Sequence, residues 1–234
     1  MISTIALTFV RRAALTLTFA AYCTNTYSSD FIYVKRDSLW PQSQIPVCWE
    51  QTVAQFSNER EWVRNQIATS WSASSSVIFT GWGACSPATN GGIRIQTSDG
   101  NPRTLGLGTM LRATPNGMLL NFTFANFSAA FCQADVEGRR EHCIRVTAMH
   151  EFGHALGFSH EQNRPDAPDW CHNEASGTNG DLMVTDFDLR SVMNYCRSAS
   201  WPTTAMLSPF DILGVQRVYG PPGGRIPADR HVRS

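Results

Sequence analysis

The residues best equipped for chemistry lie in one short stretch. "HEFGHALGFSHEQNRPD" runs from His150 to Asp166 and holds half of the chain's six histidines. His150 and His154 are four apart, so on a helix turning about 100° per residue they point the same way, one turn apart. Two imidazoles so placed can bind one tetrahedral zinc. Glu151 follows His150, so its carboxylate flanks such a metal instead of binding it, where a base is needed to take a proton from an activated water. Gly157 tolerates the left-handed conformation that ends a helix and turns the chain sharply. His160 can then arrive from a different direction as third ligand. Three protein nitrogens leave a fourth position for water, the arrangement of a catalytic zinc and not of a closed structural one. The expected cofactor is one catalytic Zn2+. A chance pattern on a core helix is the competing reading; HExxH alone is a modest signal, and five fixed positions are a far stronger one.

Elements must exist to position these groups. The pattern from about Arg140 to Phe158 predicts the helix that carries the histidine pair. A second helix is predicted from about Glu59 to Ser72: Trp62, Ile67 and Trp71 recur at helical spacing, Ser57 or Asn58 can cap the start, and Glu59 and Glu61 suit the first turn. Ile45 to Trp49 reads as a first strand, and "SVIFTGW", "GGIRIQTS" and "GMLLNFTF" read as three more. A strand, a helix and further strands argue for a mixed sheet with the helix packed on it. Past the third histidine "NRPDAPDWCHNEASGTNGD" is loop. A closing helix is expected over Pro209–Tyr219, capped by Ser208 and stopped by Gly220, Pro221 and Pro222.

Bulk properties narrow the setting. The chain has 234 residues, formal net charge zero, 42% hydrophobic and 11% aromatic residues, a globular composition of one domain. Neutrality gives no electrostatic footprint for nucleic acid, and none is expected as a partner. Residues 1–23 carry Arg11 and Arg12, an apolar run from Ala13 to Ala21 and then small residues, the pattern of a secretory signal; an N-terminal membrane anchor is the competing reading. No other stretch is long and apolar enough to cross a membrane, so the expectation is a secreted monomer without stable membrane association after signal removal. Residues 24–38 read as a linker or short pro-segment, 39–220 as the catalytic domain and 221–234 as a flexible tail. Six cysteines remain beyond Cys23, an even set that suggests three disulfides in an exported chain. Connectivity does not follow from sequence; pairing neighbours along the chain gives Cys48–Cys85, Cys132–Cys143 and Cys171–Cys196. Asn121-Phe122-Thr123 and Asn126-Phe127-Ser128 match the N-glycosylation pattern.

HExxHxxGxxH followed by a Met-turn resembles the metzincin signature, and "SVMNY", Ser191 to Tyr195, supplies that turn. It is similar to the S-x-M-x-Y turn of the astacin family. "HEQNRPD" is similar too, since in astacins a Glu follows the third histidine and an Arg and an Asp come soon after. The resemblance covers roughly Leu39 to Gly220. It implies an α+β, metzincin-type zinc protease domain: a mixed twisted sheet, an active-site helix, a second long helix, then an irregular C-terminal subdomain with a closing helix. It implies that Met193 lies beneath the zinc as an apolar floor, and that Tyr195 is a displaceable ligand that swings to stabilise the oxyanion. Glu161 takes the place of the Glu near which the mature N-terminus of true astacins is buried. Three features depart from the family: residues 24–38 hold only Asp30 and Asp37 as candidates for a zinc-blocking aspartate, an extension precedes the first strand, and the cysteine spacing differs.

The implied activity is hydrolysis of peptide bonds in a protein or peptide substrate, with Glu151 and Tyr195 catalytic. The substrate is expected to lie along an edge strand within "GTMLRATPNGMLLNF". Arg197, just past the Met-turn, is a candidate for favouring an acidic side chain after the scissile bond, with a solvated surface arginine as the competing reading. The competing functions are a matrixin-like metzincin and a non-catalytic zinc-containing binding module.

Overall fold

The computed structural model describes residues 33–52, 54–88, 91–126, 130–133, 136, 138–172, 176–196 and 204–230. Its strands are β1 (Tyr33–Val34), β2 (Gln44–Trp49), β3 (Ile78–Ala84), β4 (Ile93–Thr97), β5 (Arg103–Thr104), β6 (Met118–Leu120) and β7 (Leu182–Met183). Its helices are α1 (Ser57–Ile67), α2 (Ala130–Gln133), α3 (Arg139–Ala155), α4 (Asp169–His172) and α5 (Pro209–Tyr219). The signal expected over residues 1–23 lies outside the described residues, as does Arg197.

Five strands form one sheet in the order β3-β2-β4-β6-β5. The pairs β2–β3, β2–β4 and β4–β6 are parallel, and β5 closes one edge antiparallel to β6. Ile45, Val47, Ile93, Ile95 and Met118 are completely buried. Burying a side chain of that size contributes about 1.5–3 kcal/mol, which explains why parallel strands hold here at the centre of the fold. The sheet is mixed, as the alternation of strands and helix predicts. The twisted α+β architecture matches the expectation.

Helices α1 and α3 pack on this sheet. Val63 and Ile67 of α1, and Ile144, Met149 and Phe152 of α3, face the core. Phe79 of β3 meets Phe152 edge-on at 4.9 Å between centroids, and Trp71 stacks on Phe158 at 5.3 Å. Helix α1 ends at Ile67 and continues as a wider π-turn over Ala68–Ser72, where the sequence predicted uninterrupted α-helix. Thr69 Oγ1 donates to Asn65 O at 2.8 Å and Ser70 Oγ to Gln66 O at 2.6 Å. Hydroxyls that bond back to the preceding turn compete with the α-helical ladder and loosen it. A short 3-10 turn over Ala54–Phe56 leads into α1, so the cap is Phe56 without a side-chain bond, in place of Ser57 or Asn58.

The three neighbouring disulfides are present: Cys48–Cys85, Cys132–Cys143 and Cys171–Cys196. Helix α5 has the expected bounds, and Ser208 and Asp211 form a reciprocal capping box. The first glycosylation match is closed off in the folded chain, because Asn121 is 1% exposed and its Nδ2 donates to Gly100 O at 3.0 Å. The second includes residues outside the described set. Tyr33–Val34 pairs with β7, and Arg230 Nη1 donates to Trp40 O at 2.7 Å.

Candidate metal centre and active site

Helix α3 places His150 and His154 on one face, with centroids 4.6 Å apart. It ends at Ala155 with Leu156 as its C-cap, and Gly157 adopts φ 97. Gly157 N–H bonds His154 O at 2.9 Å and Phe158 N–H bonds Gly153 O at 3.0 Å. This pair of bonds is a Schellman stop, which needs a left-handed residue where a side chain would be strained. Beyond it the chain runs against β1: Lys35 N–H bonds Gly157 O at 2.9 Å and Ser159 N–H bonds Tyr33 O at 2.8 Å. That pairing aims His160 back at the helix.

The three Nε2 atoms converge. His160 Nε2 lies 3.2 Å from His150 Nε2 and 3.0 Å from His154 Nε2, and the ligand atoms of the trio all lie within 4.8 Å of one another. Every Nδ1 faces a backbone carbonyl: Val192 O at 2.7 Å for His150, Phe158 O at 2.8 Å for His154 and Ser176 O at 2.8 Å for His160. A carbonyl only accepts, so each neutral ring carries its proton on Nδ1 and turns an Nε2 lone pair inward. Three lone pairs at this separation repel one another unless a cation sits among them. The donor set therefore fits a zinc ion, with carbonyls fixing each ring from behind. Burial, and then the neighbouring imidazoles, hold His150 well below its ordinary pKa; burial likewise brings His154 down to about 3 and lowers His160. Neutral rings are the form that binds metal.

Glu151 is 2% exposed. One side of its carboxylate accepts the Thr104 N–H of β5, and burial pushes its pKa up to about 8 against the pull of Arg103 and that N–H. Oε2 is buried with no hydrogen-bond partner. A dication beside it would act in the same sense as Arg103 and favour the charged form. Tyr195 Oη lies 2.7 Å from His150 Nε2, and burial followed by the Glu151 charge keeps the phenol well above its usual pKa, so it remains a donor.

Met193 is 3% exposed, and its sulfur lies against Gly153, the residue before His154. A Cβ at Gly153 would collide with its sulfur and come within 3.2 Å of Trp71. A glycine inside a helix costs about 1 kcal/mol relative to alanine, and here its reason is that approach. The sequence reading passed over Gly153, although an isolated helical glycine is itself a signal of close contact.

Polar groups hold the Met-turn. Glu161 N–H bonds Met193 O at 2.9 Å, and Glu161 Oε1 accepts from Asp188 N–H at 2.8 Å. Burial pushes Glu161 up to about 8 despite Arg164, whose Nη1 lies 3.5 Å away. Arg164 is fully buried; its Nε and Nη2 donate to Asp166 at 2.8 and 2.7 Å, and Nη2 donates to Thr185 O at 2.7 Å. Asp211 of α5 accepts from Ser191 Oγ at 2.6 Å and from Val192 N–H at 3.0 Å. Since Val192 O faces His150, one residue joins that carboxylate to a ligand ring. Asp188 and Asp211 were also missed, for the contacts by which they hold the Met-turn, Asp188 N–H to Glu161 and Asp211 to Ser191 and Val192, are distant in sequence.

A cleft of about 530 Å³ opens over the site. Its walls include residues 103–107, Phe124, the Cys132–Cys143 disulfide, Thr147 and residues 176–178. The strand bordering it is β5, not the stretch from Gly108 to Phe122, where the substrate edge was expected. Strand β6 within that stretch is covered on both sides by β4 and β5. Only two residues of β5 pair, and "NPRTLGL" has no alternation by which to recognise it.

A family model described as Astacin, a peptidase family, matches residues 139–179, spanning α3, the turn and His160. Over that segment the chain is similar to the astacins. Its fold is similar to that in the structure of myroilysin, with TM-score 0.57 and 21% identity over 80% of this chain and 98% of that one. It is also 38% identical over 63 residues to Blastula protease 10 of Paracentrotus lividus, covering 21% of this chain and 11% of that protein. The chain thus spans about a tenth of that relative's length. Of the departures noted in the sequence, residues 24–38 and the extension before β2 lie outside the matched segment, whereas Cys143 and Cys171 lie within it.

Proposed function

We propose that the chain is a secreted, monomeric zinc endopeptidase acting on protein or peptide substrates, with one ion held by His150, His154 and His160. The observation that carries this reading is a pair: three inward Nε2 atoms, and beside them a buried Glu151 Oε2 without a partner. When bound, zinc supplies a Lewis acid that lowers the pKa of water towards about 7 and polarises the scissile carbonyl. Glu151 takes a proton from the attacking water and delivers it to the leaving amine. The Tyr195 hydroxyl donates to the oxyanion that develops at the carbonyl. The outer edge of β5 offers main-chain hydrogen bonds to an extended substrate. Met193 keeps the base of the site apolar, and Glu161 supports it through Met193 O. The disulfides suit an oxidising compartment.

Tyr195 beside His150 favours this reading over a matrixin-like one, and the aimed carboxylate of Glu151 favours it over a binding module. Digestion of a denatured protein mixture, with and without chelator, followed by sequencing of the cut sites, tests it. Cleavage should stop with chelator. Glu151→Gln should lower the rate by roughly 10² to 10⁴ while zinc content stays at about one ion per chain. Cleavage that persists in either case overturns the proposal.

A further inference from the structure

A second cavity of about 470 Å³ shares no lining residue with the cleft. Arg36, Arg112 and Arg230 line it, and Asp37 is the one carboxylate among its lining residues. Two of the guanidiniums are held on a rigid base. Arg112 lies over the Trp40 ring at 5.2 Å, and Arg230 lies over the Tyr219 ring at 5.8 Å while donating to Trp40 O. Trp40 and Tyr219 are both fully buried. Both are tied to the end of α3: Trp40 Nε1 donates to Ala155 O at 2.7 Å, and Tyr219 Oη to Leu156 O at 2.7 Å.

Stacking on buried rings fixes Arg112 and Arg230 at the opening, and Arg36 joins them in the lining. Guanidiniums present planar forks of donors that suit oxyanions, and less entropy is lost when their side chains are already ordered. We infer that this cavity is a binding site for a tetrahedral oxyanion, a sulfate or phosphate group. A doubly charged group there would tie Arg112, which directly follows the Gly108–Leu111 turn, to the two outer segments at Arg36 and Arg230. The site is separate from the zinc-binding cleft and does not depend on the proteolytic reading.

Thermal melting of the full zinc-loaded chain tests the site. Sodium sulfate is titrated against sodium chloride at matched ionic strength, in wild type, Arg112→Ala and Arg36→Glu. Arg112 is exposed, so its replacement should leave zinc content and peptide cleavage intact. In wild type Tm should rise saturably, by roughly 3–6 °C at ten times Kd, and the rise should vanish in both variants. Sulfate also stabilises proteins by exclusion from their surfaces, but that effect is unsaturable and equal in all three chains. An equal rise in all three, or no rise, overturns the inference. Repeating the titration with a sulfated disaccharide identifies the source: a lower midpoint than inorganic sulfate assigns a saccharide-borne group, and an equal or higher one a free ion.

Discussion

Among the described residues, the chain upstream of Gly157 is held mainly by apolar packing, and from Gly157 to Ser208 buried polar groups carry a larger share. The upstream part supplies His150, Glu151 and His154 from one helix, backed by Phe152, Met149 and the sheet. The downstream part supplies His160, Met193 and Tyr195 from irregular chain. There the fully or nearly buried groups include Glu161, Gln162, Arg164, Asp188 and Asn194. A helix locates three functional groups with one set of packing contacts. Three groups on loops each need their own anchors: Tyr195 N–H bonds Gln162 Oε1 at 3.2 Å, and Asn194 Nδ2 bonds Asp188 O at 2.9 Å. The zinc site is the seam between the two modes of support.

Removing the metal is the strongest way to break that comparison. Chelation should abolish cleavage altogether, and it should also release the two parts unequally. His160 would share the ion with the two helix histidines, whereas β2 and β4 keep their own core. Amide hydrogen exchange should therefore rise across residues 160–196 and stay near its starting level across 44–49 and 93–97. Equal loss of protection in the sheet would show that the parts do not differ in this way.

Tyr195→Phe sharpens the comparison at one downstream group. The ring stays packed and only the hydroxyl is lost, so fold and zinc content should persist. Loss of one oxyanion donor costs roughly 10² to 10³ in kcat, and KM should move less because the bond forms in the transition state. Cobalt-substituted protein should also change its visible spectrum if the hydroxyl coordinates at rest. Unchanged kcat and spectrum would leave Tyr195 a packed ring and return the matrixin-like reading.

The same division decided what could be read from the sequence. Hydrophobic periodicity located α1, α3 and the central strands to within a few residues, and Ser208 marked the start of α5. The histidines were legible because their spacing on a helix is their geometry. Strand β5 was not legible, since two residues carry no period. Nor were the long-range contacts of Asp188, whose N–H meets Glu161, and of Asp211, whose carboxylate accepts from Ser191 and Val192: contacts about twenty residues or more away leave no local trace. Arg164 and Asp166 were noticed only through resemblance, and the structure supplies their physical reason, a fully buried guanidinium that needs a carboxylate.

Asp211 provides the finest test, because it is where α5, an upstream-style helix, grips the Met-turn. Its carboxylate is completely buried, and burial raises its pKa from 3.8 to about 6 although Ser191, Val192 and Ser208 all donate to it. A folded-state pKa above the unfolded one means that the folded chain binds more protons between those values. Its contribution is therefore full below about pH 4 and lost as pH rises through about 6. Two units correspond to about 3 kcal/mol. Asp211→Asn cannot ionise and lacks this loss. Denaturant melts of both zinc-loaded chains should show the variant less stable at pH 4, where it gives up an acceptor, and regaining about 3 kcal/mol relative to wild type by pH 7. Zinc release at low pH acts on both chains and drops out of the difference to first order. If the variant instead falls further behind as pH rises, the three donors outweigh burial. The Met-turn would then be anchored by a charge that the fold favours, not by one that it tolerates.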